Sequence, residues 1–242
     1  MKSEKKFIFR FIASFLLPIM HALGRYHYVG SANVPKSGAF VLAPNHYSNL
    51  DPLVIAVALY KHNRVPRFLG KASLFRKPVI GWLLRKAEQI PVERTGTSRT
   101  HDPLAVARNV VAEGYAVVIY PEGTLTRQPD YWPMRGKYGA VRMALDADIP
   151  LIPAASWGAQ QILPRYSNRI SLFPRKNVTT RFGTPVDLSE FAGKPVDSRV
   201  LAKATERLMD AITAELEELR GEPAPAERWN PAANGQSEVG RF

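Results

Sequence analysis

Residues 39–59 read AFVLAPNHYSNLDPLVIAVAL, and this stretch decides the architecture. Ala39 to Ala43 is a short apolar run suited to a buried strand, Pro44 interrupts it, and a helix opens near Asp51, where an acid followed by proline makes a good first turn. A strand that passes through a short polar loop into a helix is the opening of a βαβ unit, so the stretch predicts an α/β protein and argues against a helical bundle or a β-sandwich.

Working outward, the same alternation continues along the chain. Short runs rich in Val, Ile, Phe or Thr at Ala39–Ala43, Arg67–Gly70, Gln89–Val92, Ala116–Tyr120, Leu151–Ser156, Arg169–Phe173 and Thr179–Phe182 are candidate strands. Helical patterns fall between or after them, at Asp51–Tyr60, Val79–Lys86, Pro103–Glu113, Tyr138–Ala147 and Ser198–Leu219. The expected fold is a mixed, mostly parallel sheet flanked by helices. In the last helix Leu201, Thr205, Leu208, Ile212, Leu216 and Leu219 recur at helical spacing, a stripe that should dock on the sheet. The segment after Gly221, GEPAPAERWNPAANGQSEVGRF, has three prolines, few aliphatic residues and no periodicity and reads as a flexible tail.

At 242 residues, 45% of them hydrophobic and 22% charged, the chain can build one full-sized core and is not mainly disordered. Thirty-three Lys and Arg against twenty-one Asp and Glu give a formal charge of +12, which attracts phosphate-bearing partners without choosing among nucleic acid, anionic lipid and phosphorylated metabolites. With no cysteine, disulfides, thiolate zinc sites and cysteine nucleophiles are excluded, and a reducing compartment is favoured.

The amino end is basic and then greasy. Lys2, Lys5, Lys6 and Arg10 face a single Glu4, and residues 7–20 read FIFRFIASFLLPIM. A spanning helix needs roughly 20 uninterrupted apolar residues; this run is shorter, contains Arg10 and meets Pro18. It is expected to lie in the membrane interface with its basic residues on anionic lipid. A signal peptide and an ordinary core helix are the competing readings. The chain thus divides into residues 1–30, an interfacial helical segment; residues 31–220, the α/β domain; and residues 221–242, the tail.

His46 lies in the loop after the first core strand, where open α/β sheets bind ligands, and Asp51 follows five residues later. A neutral imidazole can take a proton from an alcohol, and a carboxylate on its other nitrogen fixes the tautomer and stabilises the imidazolium. Ser48 is close but is not required as a nucleophile if the acceptor's own hydroxyl attacks. Asp51 could equally serve as a helix cap.

A second landmark, VVIYPEGTLTR at residues 117–127, is an apolar strand ending in a turn, where Gly123 permits close approach of backbone to ligand and Thr124 can donate to an anion. Glu122 can accept from a substrate hydroxyl. Lys71, Arg94, Arg127 and Lys137 each follow a strand or a turn, and two or three of them converging would fix one phosphate.

Four blocks in order, NHYSNLD, IPVER, YPEGT and IPLIPAA, resemble the glycerolipid acyltransferases of the lysophosphatidic acid acyltransferase type. They span Asn45 to Ala155. The resemblance implies a glycerol-3-phosphate acyltransferase-like fold, with His46 as general base and Asp51 as its orienting partner. It further implies that Arg94, Glu122, Gly123 and Thr124 contact the glycerol phosphate of the acceptor, that Lys71 helps hold the phosphate, and that Pro153 shapes the pocket. Acyl-CoA or acyl carrier protein would be the donor, with no metal and no other cofactor. Two positions depart from the family's pattern: Leu125 stands where an arginine usually follows the EGT, the arginine coming at Arg127, and Glu88 stands where the second block usually begins with glycine.

The expected function is acyl transfer from a thioester to the free hydroxyl of a lysophosphatidate-like acceptor, giving phosphatidic acid at the cytoplasmic face of the cell membrane. Alternative acceptors are glycerol 3-phosphate, another lysolipid or a glycolipid. A silent membrane adaptor and a nucleic-acid-binding module are the rivals from other classes, the latter lacking any recognised reader motif.

Overall fold

Apolar strands that read as continuous hydrophobic runs belong to sheets covered on both faces, and this is how the central strands are used. The computed structural model describes residues 7–92 and 103–237. In chain order the elements are α1 (Phe7–Leu23), β1 (Gly24–Val29), β2 (Phe40–Pro44), α2 (Asp51–Lys61), β3 (Pro66–Lys71), α3 (Ala72–Phe75), α4 (Pro78–Lys86) and β4 (Ile90–Val92). They continue with α5 (Pro103–Glu113), β5 (Ala116–Val118), α6 (Gly139–Ala147), β6 (Leu151–Trp157), α7 (Ala159–Ile162), β7 (Lys176–Phe182) and α8 (Ser198–Arg220).

The seven strands form one sheet in the order β1-β7-β6-β2-β5-β3-β4. From β6 to β4 all neighbours are parallel, whereas β7 runs antiparallel to β6 and β1 follows β7. The mixed, mostly parallel sheet expected from the alternating pattern is therefore present. Its consequence for function is directional: the carboxyl ends of β2, β3, β4, β5 and β6 all lie along one edge, so the loops that follow them meet.

Alternate residues of β2 serve opposite layers. Val41 and Ala43 pack with Val117 and Leu151 against Val110 of α5, Val141 and Ala144 of α6, and Leu201, Leu208 and Ile212 of α8. Phe40 and Leu42 pack with Val118 and Ile152 against Ile55, Ala58 and Leu59 of α2. Burying a side chain of this size contributes about 1.5–3 kcal/mol, so the two layers together hold the sheet between helices. The apolar stripe of α8 docks as its spacing predicted, through Leu201, Thr205, Leu208, Ile212 and Leu216. Asp197 caps its start, accepting from Val200 N at 2.8 Å, and Gly221 ends it in the left-handed region.

α1 lies outside α2, with Met20 buried against Val54 and Val57. Arg64 is fully buried at the opposite edge of the sheet, donating to the carbonyls of Pro35, Gly38 and Gly114 at 2.6–2.8 Å, and so ties the approach to β2 to the approach to β5.

Two expectations about strands are corrected. Residues 169–173 form no strand; Ile170, Leu172 and Phe173 are exposed, and the pairing strand begins after Pro174, at Lys176. An additional strand, β1, pairs with β7 over Gly24–Val29, within the segment assigned to the interfacial helix. Residues 221–237 lie against the domain: Arg228 pairs with Glu206 and Asp210, and Trp229 bridges to Met134.

Candidate active site

The turn that carries His46 is built by the break at Pro44. Asn45 is buried and locks the loop to the neighbouring strand, its side chain accepting from Ser156 N at 2.8 Å and donating to Ser156 O at 3.2 Å. The chain then bends so that Asp51, at the start of α2, faces back over it. Asp51 Oδ2 accepts from Tyr47 N at 2.7 Å and Ser48 N at 2.8 Å, and His46 Nδ1 lies 3.0 Å from the same oxygen. The carboxylate thus holds the loop and the ring together and makes no cap of α2.

Asp51 is fully buried, while the His46 side chain keeps 16% of its surface open. With Nδ1–H directed at the carboxylate, the Nε2 lone pair has no hydrogen-bond partner among the described residues. The ring is held flat by Tyr120, whose ring stacks on it with centroids 4.1 Å apart and an interplanar angle of 27°. Ser48 is buried and its hydroxyl donates to Leu163 O at 2.7 Å while accepting from Leu50 N, which makes it a structural pin of the loop.

β5 ends at Val118 beside β2, which brings the PEGT turn against the histidine loop. Glu122 is fully buried; its two carboxyl oxygens accept from His46 N at 2.9 Å and from Met134 N at 3.0 Å. Burial pushes its carboxyl up to about 8, against the opposing pull of those two N–H donors. Thr126 N donates to His46 O at 2.6 Å, closing a second link between the two loops. Gly123 adopts φ 72°, and a Cβ added there would lie 3.0 Å from Cδ of Lys137, so the lysine stem passes directly over the turn. Lys137, Glu122, Arg135 and Tyr138 line a cavity of about 210 Å³.

The other sequence-derived candidates distribute unevenly. Thr124 is half-buried on the turn, next to Gly123. Arg127 is buried, 1% exposed, so it stands inside the protein and not on the open face of the cavity. Leu125, at the position where the resembling family carries arginine, is also buried. Lys71 ends β3, paired with Val92 at the end of β4, which puts both strand ends on the edge that carries His46. Arg94 lies outside the described residues. Pro153 sits in β6 opposite Ala43 of β2. Tyr120 was not singled out from the sequence; its position, two residues beyond a buried strand that neighbours β2, is the signal that would have found it. Among the described residues no group of three His, Asp or Glu side chains is arranged to hold a metal ion.

Chemically, an open imidazole nitrogen backed by a buried carboxylate can accept a proton from a hydroxyl, and the cavity lined by Arg135 and Lys137, which shares Glu122 with the histidine loop, can seat an anion. A family model described as Acyltransferase matches residues 25–157. The chain is 30% identical to a 1-acyl-sn-glycerol-3-phosphate acyltransferase of Bacillus subtilis over 207 residues, 85% of this chain and 95% of that one. It is 30% identical over 142 residues to the chloroplastic 1-acyl-sn-glycerol-3-phosphate acyltransferase BAT2 of Brassica napus, covering 58% of this chain and 40% of that one. In fold it resembles the crystal structure of the 1-acyl-sn-glycerophosphate (LPA) acyltransferase PlsC from Thermotoga maritima, with a TM-score of 0.65 at 23% identity over 89% of this chain and 81% of that chain. With the family model spanning more than half of its length, from β1 to the end of β6, the chain belongs to the acyltransferase family.

Proposed function

We propose that the enzyme acylates the free hydroxyl of a 1-acylglycerol 3-phosphate, making phosphatidic acid, with acyl-CoA or acyl carrier protein as the donor. The observation that carries the reading is the His46–Asp51 pair at 3.0 Å with Nε2 left open on the sheet edge where five strand ends converge. His46 Nε2 takes the acceptor hydroxyl's proton as the oxygen attacks the thioester carbonyl. Asp51 stabilises the imidazolium so formed. As the tetrahedral intermediate collapses, the carbon–sulfur bond breaks and the imidazolium returns its proton to the departing thiolate, so the enzyme ends unchanged. No covalent enzyme intermediate is needed.

Lys71, Arg94, Thr124 and Lys137 are assigned to the acceptor's phosphate, the backbone of Gly123 giving it close approach. Glu122 organises the site by holding the His46 and Met134 backbones together. The protein works as a peripheral enzyme of the cytoplasmic membrane face, with α1 lying in the interface: Phe7, Phe11, Phe15 and Ile19 form an exposed stripe along it. No described helix is long and apolar enough to cross a membrane.

The test is acyl transfer from radiolabelled acyl-CoA to lysophosphatidate, glycerol 3-phosphate and other lysophospholipids by the purified protein, with His46→Ala alongside. Phosphatidic acid should form, and the variant should fall to background. Transfer to none of these acceptors, or a variant that keeps more than about a tenth of the activity, would remove the assignment.

A further inference from the structure

A surface helix ordinarily turns its large apolar residues inward. α4 does the reverse. Its one buried residue is Gly81, while Val79, Ile80, Trp82 and Leu83 are 78%, 45%, 54% and 42% exposed. The reason is the way the segment is pinned. A Cβ at Gly81 would lie 2.1 Å from Phe75 O, and the Phe75 ring in turn stands over Gly70 of β3, where a Cβ would be 3.1 Å away. Arg85 donates to the same Phe75 carbonyl at 2.6 Å. Contacts made by glycines and backbone hold the α3–α4 hairpin onto the sheet and leave Val79, Ile80, Trp82 and Leu83 exposed.

This apolar face adjoins that of α1. Ala87, just past the end of α4, is buried in one cluster with Phe9 and Val65, joined by Ile8 and Ile12. The exposed Phe7, 82% open, and Phe11, 52% open, belong to the same turns of α1. The stacked rings of Phe7, Phe11 and Phe15 extend the surface along the helix.

Charge identifies the occupant. From Lys5 to Ala87 the sequence contains one acid, Asp51, and that residue is buried in the catalytic loop; of the twenty-one acids in the chain, all others except Glu4 lie from Glu88 onward. Over the same span Arg10, Arg76, Lys77, Arg85 and Lys86 are exposed on α1, α4 and the turn before α4. Among the described residues, α1, α4 and the turn before α4 carry exposed cations and no acid beside this apolar face, which matches an anionic bilayer, whose headgroups take the cations while its acyl chains take the apolar side chains.

We propose that α4 is a second membrane-inserting element, independent in sequence from α1 and acting with it to seat the enzyme on anionic lipid by two separated footholds. The inference rests on the peripheral-membrane reading given above and adds a contact to it. Because α4 follows β3, whose carboxyl end joins the catalytic edge, two footholds also fix the direction in which that edge faces, which a single helix free to roll would not.

Trp82 supplies its own probe, since Trp132 is buried and Trp157 and Trp229 are half-buried. The full chain is mixed with phosphatidylglycerol vesicles carrying brominated acyl chains. The tryptophan emission should shift to the blue and be quenched, and most of the quenching should vanish in Trp82→Phe although that variant still pellets with the vesicles. Ile80→Ser/Leu83→Ser should weaken pelleting about tenfold while leaving the melting temperature in solution unchanged, because both side chains are already exposed. Vesicle binding with quenching indifferent to residue 82 would overturn the second foothold and leave α1 as the sole anchor. A blue shift that grows with protein concentration without lipid would overturn it in favour of a second copy of the chain. Failure to bind any anionic vesicle would overturn this inference together with the peripheral reading, while leaving the acyl-transfer assay free to succeed.

Discussion

Asp51 Oδ2 faces three N–H groups, those of His46 Nδ1, Tyr47 and Ser48, whereas Oδ1 is buried with no hydrogen-bond partner. One oxygen thus performs both tasks, holding the loop and holding the ring. Asp51→Asn can keep an oxygen for the backbone donors, but it no longer offers a negative charge to the imidazolium. The expected result is an acceptor KM within a few fold of the parent and a kcat lowered by on the order of 10²–10⁴, read by steady-state kinetics. Of this pair the sequence carried the spacing and the loop placement; it could not choose between a cap and an orienting acid for Asp51, because that depends on which way the carboxylate turns. Glu122 shows the same limit. PEGT reads as a ligand turn, but its glutamate is fully buried between two backbone N–H groups, a fact set by the approach of His46 from far along the chain and of Met134 from beyond the turn. Its raised carboxyl makes a pH prediction. In the unfolded chain the group titrates near its ordinary value of 4.5 and in the fold at about 8, so between these values the folded state holds a proton that the unfolded state has released. Stability should therefore fall as pH rises across that window and level off above about 8, with a slope of at most about 1.4 kcal/mol per pH unit. Glu122→Gln turns an N–H donor toward one of the two backbone donors, so it should melt lower at pH 5 and the gap to the parent should narrow toward pH 8. Thermal melts across pH 5–9 read the difference; parallel curves for the two proteins would show that Glu122 does not titrate in this range.

At the scale of elements, the core strands and helices were legible because each is bounded by turn residues and buried on both faces; β2, β5 and β6 expose almost nothing. The two misreadings fall at the antiparallel margin. β1, GRYHYV, alternates buried and open positions and carries few aliphatic residues, so by composition it is indistinguishable from a loop trailing the amino-terminal helix. Residues 169–173, RISLF, have the composition of a strand but no neighbour to pair with, and β7 starts beyond Pro174. Register decides both, and register is a tertiary property. The PEGT turn is an element whose geometry can be tested by one methyl group. Gly123→Ala places a Cβ at φ 72° and 3.0 Å from the Lys137 stem, so the backbone strain of about 1 kcal/mol is joined by displacement of the lysine over the turn. The melting temperature should drop by about 2–4 °C, and the acceptor KM should rise more than kcat falls. An unchanged KM would separate Lys137 from the phosphate.

For the whole molecule, the distance in sequence between the site and its supports is the main lesson. His46 N donates to Glu122, Met134 N donates to the same carboxyl, and Met134 pairs with Trp229 beyond the last helix, with Arg135 N donating to Trp229 O at 2.9 Å. Trp229 is held there by its neighbour Arg228, which pairs with Glu206 and Asp210 on α8. Taken singly, those ion pairs are exposed on their acidic side and contribute little. Their role is to keep the terminal segment laid along the domain, a role that its polar composition conceals in the sequence. The continuous path from Arg228 to the imidazole loop predicts that ending the chain after Gly221 leaves the sheet and α8 formed but loosens the strand of backbone that carries Met134, and with it the anchoring of Glu122. The truncated protein should retain its circular dichroism spectrum, lose activity by roughly an order of magnitude, and show faster hydrogen exchange at Met134 and His46, whose N–H groups both end on the same carboxyl. Trp229→Ala in the full chain should reproduce the exchange change in milder form. Full activity after truncation would mean that residues 121–136 hold the site without help, and that the terminal contacts serve only to cover the surface.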